Sequence, residues 1–481
     1  MSLREKTING VIWTSLDKFM SIGLGVVVNI LIARVLSPKD YGLYGMLAFF
    51  SGLGTILIDS GFGQALIRKS ELTEDDLNTV FYFNIVVGGV VYLALFFAAP
   101  FIAIFFKEPV LDILSKIVFL NIAISSFGIV QSALFQKKLQ FDKITKANLV
   151  SLIVGSISGV SMAFAGYGYW ALVGQHLVAV LFRVAALWYQ SDWFPRNKFS
   201  FSSLKEFYSY GSKLMLSGII YQFTGNIYQV FIGKYYDAFS VGLYTQASKL
   251  QQIPASNLDN VIQSVTFPVL SAVQDDELRL KQAFRKILKQ VIFVNFPILS
   301  LLGVVSKPFI SVLITDKWIE AAPLLSLMAI VGLFYPVHSL NMNILKVKGR
   351  TDLFLYLDII KNVLLVLTAL FTYQISVVAM VIGLVCYSLV ALLINCYFGG
   401  RVINYTIKEQ FSDMMPNLLL VVVIAGIVYG LKLFIVGSLA LLSTQIVLFV
   451  ILYITASVIL DFDAWREIKI LFLERLNLYA K

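Results

Sequence analysis

Residues 78–106 read NTVFYFNIVVGGVVYLALFFAAPFIAIFF, an uncharged stretch of 29 positions running up to Lys107. A helix needs about 20 predominantly apolar residues to cross a bilayer, so this run predicts a membrane span. Runs of the same character lie on both sides of it, at 9–33, 41–62, 112–136, 144–165, 169–190, 210–233, 239–268, 284–305, 321–345, 353–373, 376–399, 413–436 and 438–460. Gly166-Tyr167-Gly168 and Tyr373-Gln374-Ile375 join neighbouring runs with almost no loop. The first run follows Arg4 and Lys6 and is too long for a signal-peptide core, so it is read as a retained helix. The connections are all short, which leaves no room for a water-soluble catalytic domain.

Composition agrees. Of 481 residues, 58% are hydrophobic and 14% are charged, with a mean hydropathy of +0.82; soluble domains average about 45–50% and about 25%. Soluble, disordered and disulfide-framework classes are thereby excluded. Cys386 and Cys396 share one apolar run, where ten helical residues put their Cα atoms about 15 Å apart, too far for a disulfide. The net charge of +10 comes mainly from short breaks between apolar runs. With the N-terminus inside, inner segments carry 26 Lys and Arg and outer segments 8. The positive-inside rule then puts both termini in the cytoplasm. A multi-pass membrane protein is expected, with the lipid bilayer as its medium and no nucleic-acid partner.

The chain also repeats itself. Ile32-Ala33-Arg34 and Gly42-Leu43-Tyr44 return as Ile232-Gly233-Lys234 and Gly242-Leu243-Tyr244, at an offset of 200. Pro100-Phe101-Ile102 returns as Pro308-Phe309-Ile310, and Asp142 and Asp352 each follow a basic break. Six spans in each half insert in the same direction, which implies a pseudo-two-fold axis along the membrane normal. The expected fold is an all-α polytopic membrane protein of about 14 transmembrane helices. Two pseudo-symmetric six-helix lobes, 1–205 and 206–405, would surround a central cavity, and 406–481 would add two C-terminal helices and a cytoplasmic tail. Two such bundles can rock about the cavity and expose it to either side in turn; a duplication without moving parts is the plainer alternative.

The stretch LIARVLSPKDYGLYG at 31–45, with DSGFG at 59–63, LTEDDL at 72–77, GYWALV at 168–173 and Gly242-Leu243-Tyr244 running on to Pro254, resembles the polysaccharide flippases. These belong to the multidrug/oligosaccharidyl-lipid/polysaccharide exporter superfamily, and the resemblance is strongest to its Wzx-type members, which serve O-antigen and other lipopolysaccharide or exopolysaccharide biosynthesis. It spans nearly the whole chain. It implies fourteen helices and transport of an undecaprenyl-pyrophosphate-linked oligosaccharide from the inner to the outer leaflet, with polysaccharide polymerase machinery as a further partner. Lys249 departs from the arginine expected in many relatives: the charge is kept and the bidentate phosphate fork is lost.

Charges at bilayer depth cost about 2.5–3.5 kcal/mol each on insertion scales and need a reason. Lys18, Lys249 and Lys361 sit near the middle of their runs. One reading makes them a cationic floor for pyrophosphate and acidic sugars, because attraction between opposite charges strengthens in a partly dehydrated cavity. The plainer reading pairs Lys361 with Asp358, three residues away on one helix face. Arg34 and Lys234 end equivalent helices at the outer mouth, as release-site residues or as snorkelling side chains. Arg183 is expected to snorkel. Gln222, Asn226 and Gln229 follow i, i+4, i+7 and share a face; with Gln246 they suit a hydrated, sugar-accommodating cavity or interhelical hydrogen bonds equally well. Asp358, Asp259 and Asp59 are the candidates for a coupling-ion site, where a cation or proton gradient would reset the cycle. Pro254 is expected to break its helix ahead of Asp259.

His176 and His338 have no Cys, Asp or Glu at ligand spacing, so no metal site is expected. Their charge changes near neutral pH, but a structural role is the plainer reading. No P-loop, H-E-x-x-H or G-x-S-x-G is present, and the D-x-D at Asp461-Phe462-Asp463 follows no nucleotide-binding domain. No cofactor and no catalytic residue are expected. A drug exporter of the same superfamily is one alternative, disfavoured by the intramembrane lysines. A membrane glycosyltransferase or polymerase, disfavoured by the short loops, and a passive scramblase are the others.

Overall fold

The computed structural model describes residues 3–467, apart from Asn197, and Lys469; side chains are described except at residues 3–8 and 256–265. Among the described residues the regular structure is all helical. The chain forms α1 (Leu3–Val35), α2 (Pro38–Met46), α3 (Ala48–Asp59), α4 (Phe62–Arg68), α5 (Glu74–Phe106), α6 (Val110–Val118), α7 (Leu120–Ser126), α8 (Ile129–Lys137) and α9 (Phe141–Phe164). There follow α10 (Trp170–Tyr189), α11 (Phe201–Tyr235), α12 (Ala238–Ala272), α13 (Glu277–Ile314), α14 (Ala321–Val347), α15 (Thr351–Thr372), α16 (Val377–Val402), α17 (Ile407–Gly430) and α18 (Ser438–Ile459).

Local chemistry sets the helix starts. Ser37 with Asp40, Thr73 with Asp76 and Thr406 with Glu409 form capping boxes at α2, α5 and α17, each satisfying backbone N–H groups that a first turn leaves open. Breaks inside spans are local too. Ser60 (φ 46°) and Gly61 (φ 70°) turn the chain between α3 and α4, in the left-handed region that suits glycine. The stretch 110–126 meets 129–137 at a 42° bend. Pro254, by contrast, does not end α12, which runs through it. Transmembrane helices accommodate proline where neighbouring groups satisfy the freed backbone.

Each of the fourteen apolar runs falls on a helix or on consecutive helices. Among the described residues 11 helical stretches are long and apolar enough to cross a membrane, or 12 with the bent pair counted as one span. Helices α11 and α12 are not among them. In α11 the amides of Gln222, Asn226 and Gln229 dilute the apolar character. The outward faces are what a bilayer solvates: Phe97 is 70% exposed and Phe101 and Ile104 are each 72% exposed, a display that water would not tolerate over a whole surface.

Two compact units emerge, 1–245 and 246–481. In the first, Phe62, Leu66, Val80, Phe81, Val130 and Phe207 bring α4, α5, α8 and α11 together. In the second, Phe296, Phe334, Val337, Leu392, Val421 and Phe449 form a core from α13, α14, α16, α17 and α18.

Candidate functional site

The two copies of the repeated motif meet within the first unit. Ser37 caps α2, and Asp237, 200 residues on, accepts a hydrogen bond from the Ser240 N–H (2.7 Å) at the start of α12. The segments then cross backbone to backbone. A Cβ on Gly42 would stand 1.5 Å from the Ala238 carbonyl oxygen, and one on Gly242 would stand 1.8 Å from the Pro38 carbonyl oxygen. Residues 38 and 238, like 42 and 242, differ by the repeat offset. Such reciprocal contact is what a two-fold relation through the crossing produces. Glycine is required here because no side chain fits between the backbones.

Helix α11 continues the contact along α3 and α4. Gln222 donates to the carbonyls of Ala48 and Phe49 (3.3 Å each), its amide lying where a Cβ on Gly52 would be. Asn226 donates to the Gln222 carbonyl (3.0 Å), and Gln229 to the Thr245 hydroxyl (3.1 Å). Gln246 is fully buried and neither amide atom has a partner among the described residues. Further along, a Cβ on Gly211 would lie 2.3 Å from the Ser60 carbonyl. Of the two readings of these amides, Gln222 takes the interhelical one.

Intramembrane charge in the first unit is organised through α9. Asn148 donates to Asp17 (2.9 Å) and accepts from Arg183 Nε (2.9 Å), so α1, α9 and α10 are bridged by an acid–amide–guanidinium relay. Arg183, expected to snorkel, is instead tied into this relay. The other Asp17 oxygen is enclosed without a hydrogen-bond partner among the described residues. Lys18 follows about 100° around the helix; it is exposed and makes no ion pair among the described residues. Asp59 accepts from the Gly63 N–H (3.3 Å) and borders, with Gln64, Gln136 and Arg183, a hollow of about 350 Å³. Lys234 donates to the Phe105 carbonyl (3.0 Å) and lies 4.2 Å from that ring's centre, while Arg34 is exposed at the end of α1.

In the second unit, Lys249 lies on α12 and keeps accessible surface. The Asp259 side chain lies outside the described residues. Lys361 reaches Asp358 at 3.8 Å with a side chain only 13% exposed, and Asn362 donates to the same carboxylate (3.4 Å). The i, i+3 pairing expected from the sequence is present. His338 is held at both nitrogens, accepting at Nδ1 from Asn395 (3.1 Å) and facing the Ser388 hydroxyl from Nε2 (3.3 Å); this is a structural placement. Sequence reading missed the Asp17–Asn148–Arg183 relay. Polar residues in three apolar runs were visible, but nothing in the sequence says which runs are neighbours.

Where the span ends leave the apolar region, charges pair. Arg285 forks onto Asp413 (2.5 and 2.6 Å), Tyr405 donates to the same carboxylate (2.6 Å), and Lys281 meets Glu409 (2.8 Å). Lys69 lies 2.9 Å from both Asp76 and Glu206. Burial depresses its pKa, but these two carboxylates outweigh that and hold the ammonium above its ordinary value.

The sequence profile of the polysaccharide biosynthesis protein family Polysacc_synt_3 matches residues 31–323. The teichuronic acid biosynthesis protein TuaB of Bacillus subtilis is 27% identical over 442 residues, covering 90% of this chain and 90% of that protein. The lipopolysaccharide biosynthesis protein WzxC of Escherichia coli is 29% identical over 369 residues, covering 76% and 75%. Among solved structures, lipid II flippase MurJ in an inward closed conformation superposes with a TM-score of 0.76 at 15% identity, over 93% of this chain and 98% of that one. At that identity the likeness is one of fold.

Proposed function

Because the chain belongs to the polysaccharide biosynthesis protein family Polysacc_synt_3, we propose that it is a flippase for an undecaprenyl-pyrophosphate-linked oligosaccharide, carried from the cytoplasmic to the periplasmic leaflet of a bacterial inner membrane with both chain termini in the cytoplasm. The carrying observation is Lys18, an exposed ammonium at bilayer depth with no ion-pair partner among the described residues. The neighbouring Asp17 is engaged by Asn148 on α9, so Lys18 points elsewhere. An unpaired cation there costs free energy, and a pyrophosphate in a poorly solvated cleft would offset that cost. Lys249 on α12 and Lys361 on α15 supply the same chemistry.

Loading is from the cytoplasm, with the polyprenyl tail left in lipid. Release requires the crossing of α2 with α12 to part, after which Arg34 and Lys234 line the exit. Asp358 and Asp59 are the carboxylates available for a coupling cation or proton, and the polymerase machinery receives the product. The test is reconstitution with a fluorescent polyprenyl-pyrophosphate oligosaccharide, following its transfer between leaflets. The Lys18→Ala/Lys249→Ala variant should lose transfer; a folded double variant that transfers at the parent rate removes the binding role.

A further inference from the structure

Where α14 ends, α15 begins and α16 ends, the second unit opens a hollow of about 530 Å³ lined by Lys348, Arg350, Leu353, Phe398, Arg401 and Val402. Three cations share the lining with three apolar side chains, and no acid lines the hollow among the described residues. Lys348 uses one N–H on the Gln274 carbonyl (3.1 Å), and Arg350 is forked onto Asp352 (3.0 and 3.1 Å). Arg401 is exposed and makes no hydrogen bond or ion pair among the described residues.

The repeat explains why the hollow is open. In the first half the corresponding joint, between the start of α9 and the end of α10, is closed reciprocally. Lys143 donates to the Gln190 carbonyl (3.0 Å), and the Gln190 amide donates to the Lys143 carbonyl (3.1 Å). At the offset of 210 that relates Asp142 to Asp352, Lys143 and Gln190 become Leu353 and Gly400. Neither has a side chain able to make that bond. The next residue, Arg401, places a guanidinium over the gap. Helix α15 is lightly held besides, burying only Leu357 and Ala369.

We propose that this hollow binds the phosphate headgroup of an anionic phospholipid, with an acyl chain lying on Leu353, Phe398 and Val402. Its place at the ends of three membrane-spanning helices is headgroup depth. Basic pockets between transmembrane helices recognise such headgroups, and the apolar half of the lining distinguishes a lipid from a soluble anion. That the leaflet is the cytoplasmic one rests on the topology proposed above. The bound lipid would join α15 to α16 where the first half uses Lys143 and Gln190.

The full chain in nanodiscs should be photolabelled by a diazirine-tailed phosphatidylglycerol at residues 348–353 and 398–402, several-fold more than by the phosphatidylcholine analogue. Arg401→Gln should cut the phosphatidylglycerol label about five-fold, the equivalent of about 1 kcal/mol per basic residue at a membrane surface. Arg401→Lys should retain most of it, and Lys432→Gln, at a span end away from the hollow, should leave it unchanged. Equal labelling by the two lipids overturns the proposal, as does an undiminished label in a monodisperse Arg401→Gln protein. Displacement of the label by inorganic pyrophosphate would reassign the hollow to a soluble anion. No oligosaccharide lipid is used, so failure here leaves the flippase reading standing, and failed transport leaves the labelling result intact.

Discussion

Replacing Gly42 with alanine strikes the crossing of α2 with α12 at its tightest point. The added Cβ would stand 1.5 Å from the Ala238 carbonyl oxygen, with the Ala238 carbonyl carbon 2.5 Å away. Both obstacles are backbone, so no rotamer change relieves the contact and the segments must separate. Overpacking of this kind costs about 1–3 kcal/mol. If the crossing exists only while the outer mouth is closed, that cost falls on the closed state alone and shifts the population outward-open by about 5–150-fold. Gln229 bonds Thr245, three residues beyond Gly242, so a cysteine at 229 in a chain cleared of Cys386 and Cys396 reports on the seal. Its labelling by a membrane-impermeant maleimide from outside should accelerate by that factor in Gly42→Ala. Gly242→Ala, facing Pro38, should do the same, and the two should combine less than additively because either one parts the same contact. An unchanged labelling rate in a folded variant refutes the seal; acceleration only from the cytoplasmic face refutes the topology.

Asn148→Leu deletes the bridge between Asp17 and Arg183 and should cost about 3 kcal/mol, seen as a lowered unfolding midpoint in detergent. Arg285→Ala leaves the Asp413 carboxylate, only 6% exposed, without its fork; about 1–2 kcal/mol should be lost, and Arg285→Lys should restore only part of it. Lys69 has a raised pKa in the folded protein, so its contribution is complete below the ordinary lysine value and is lost as pH rises through the elevated one. Removing it with Lys69→Met should therefore lower the midpoint by the same amount at pH 6 and pH 8; a difference between those two would contradict the ion-pair geometry.

The spans were legible because a bilayer demands long apolar runs, and a run such as 78–106 has no other use. Interruptions were not. Ser60-Gly61 and Phe127-Gly128 lie in stretches whose hydropathy is continuous; the first break comes from two left-handed residues, and the second is a 42° bend that hydropathy does not mark. Pro254 misled in the other direction, since proline removes one donor but does not compel a helix to end. Of the candidate site, the Lys361–Asp358 pair followed from helical spacing. Gln222 and Arg183 did not, because their roles depend on which helices are neighbours. The glycines at 42 and 242 were visible as a repeat, yet only the fold reveals that the two copies touch.

The decisive measurement compares two glycolipids in proteoliposomes: the polyprenyl-pyrophosphate oligosaccharide and the same oligosaccharide on an uncharged polyprenyl ether. A cationic cleft should move the pyrophosphate lipid across the bilayer and leave the neutral one behind, with the difference abolished in Lys18→Ala/Lys249→Ala. Equal transfer of both lipids by the unaltered protein, or of neither, would contradict a flippase that recognises the anionic headgroup.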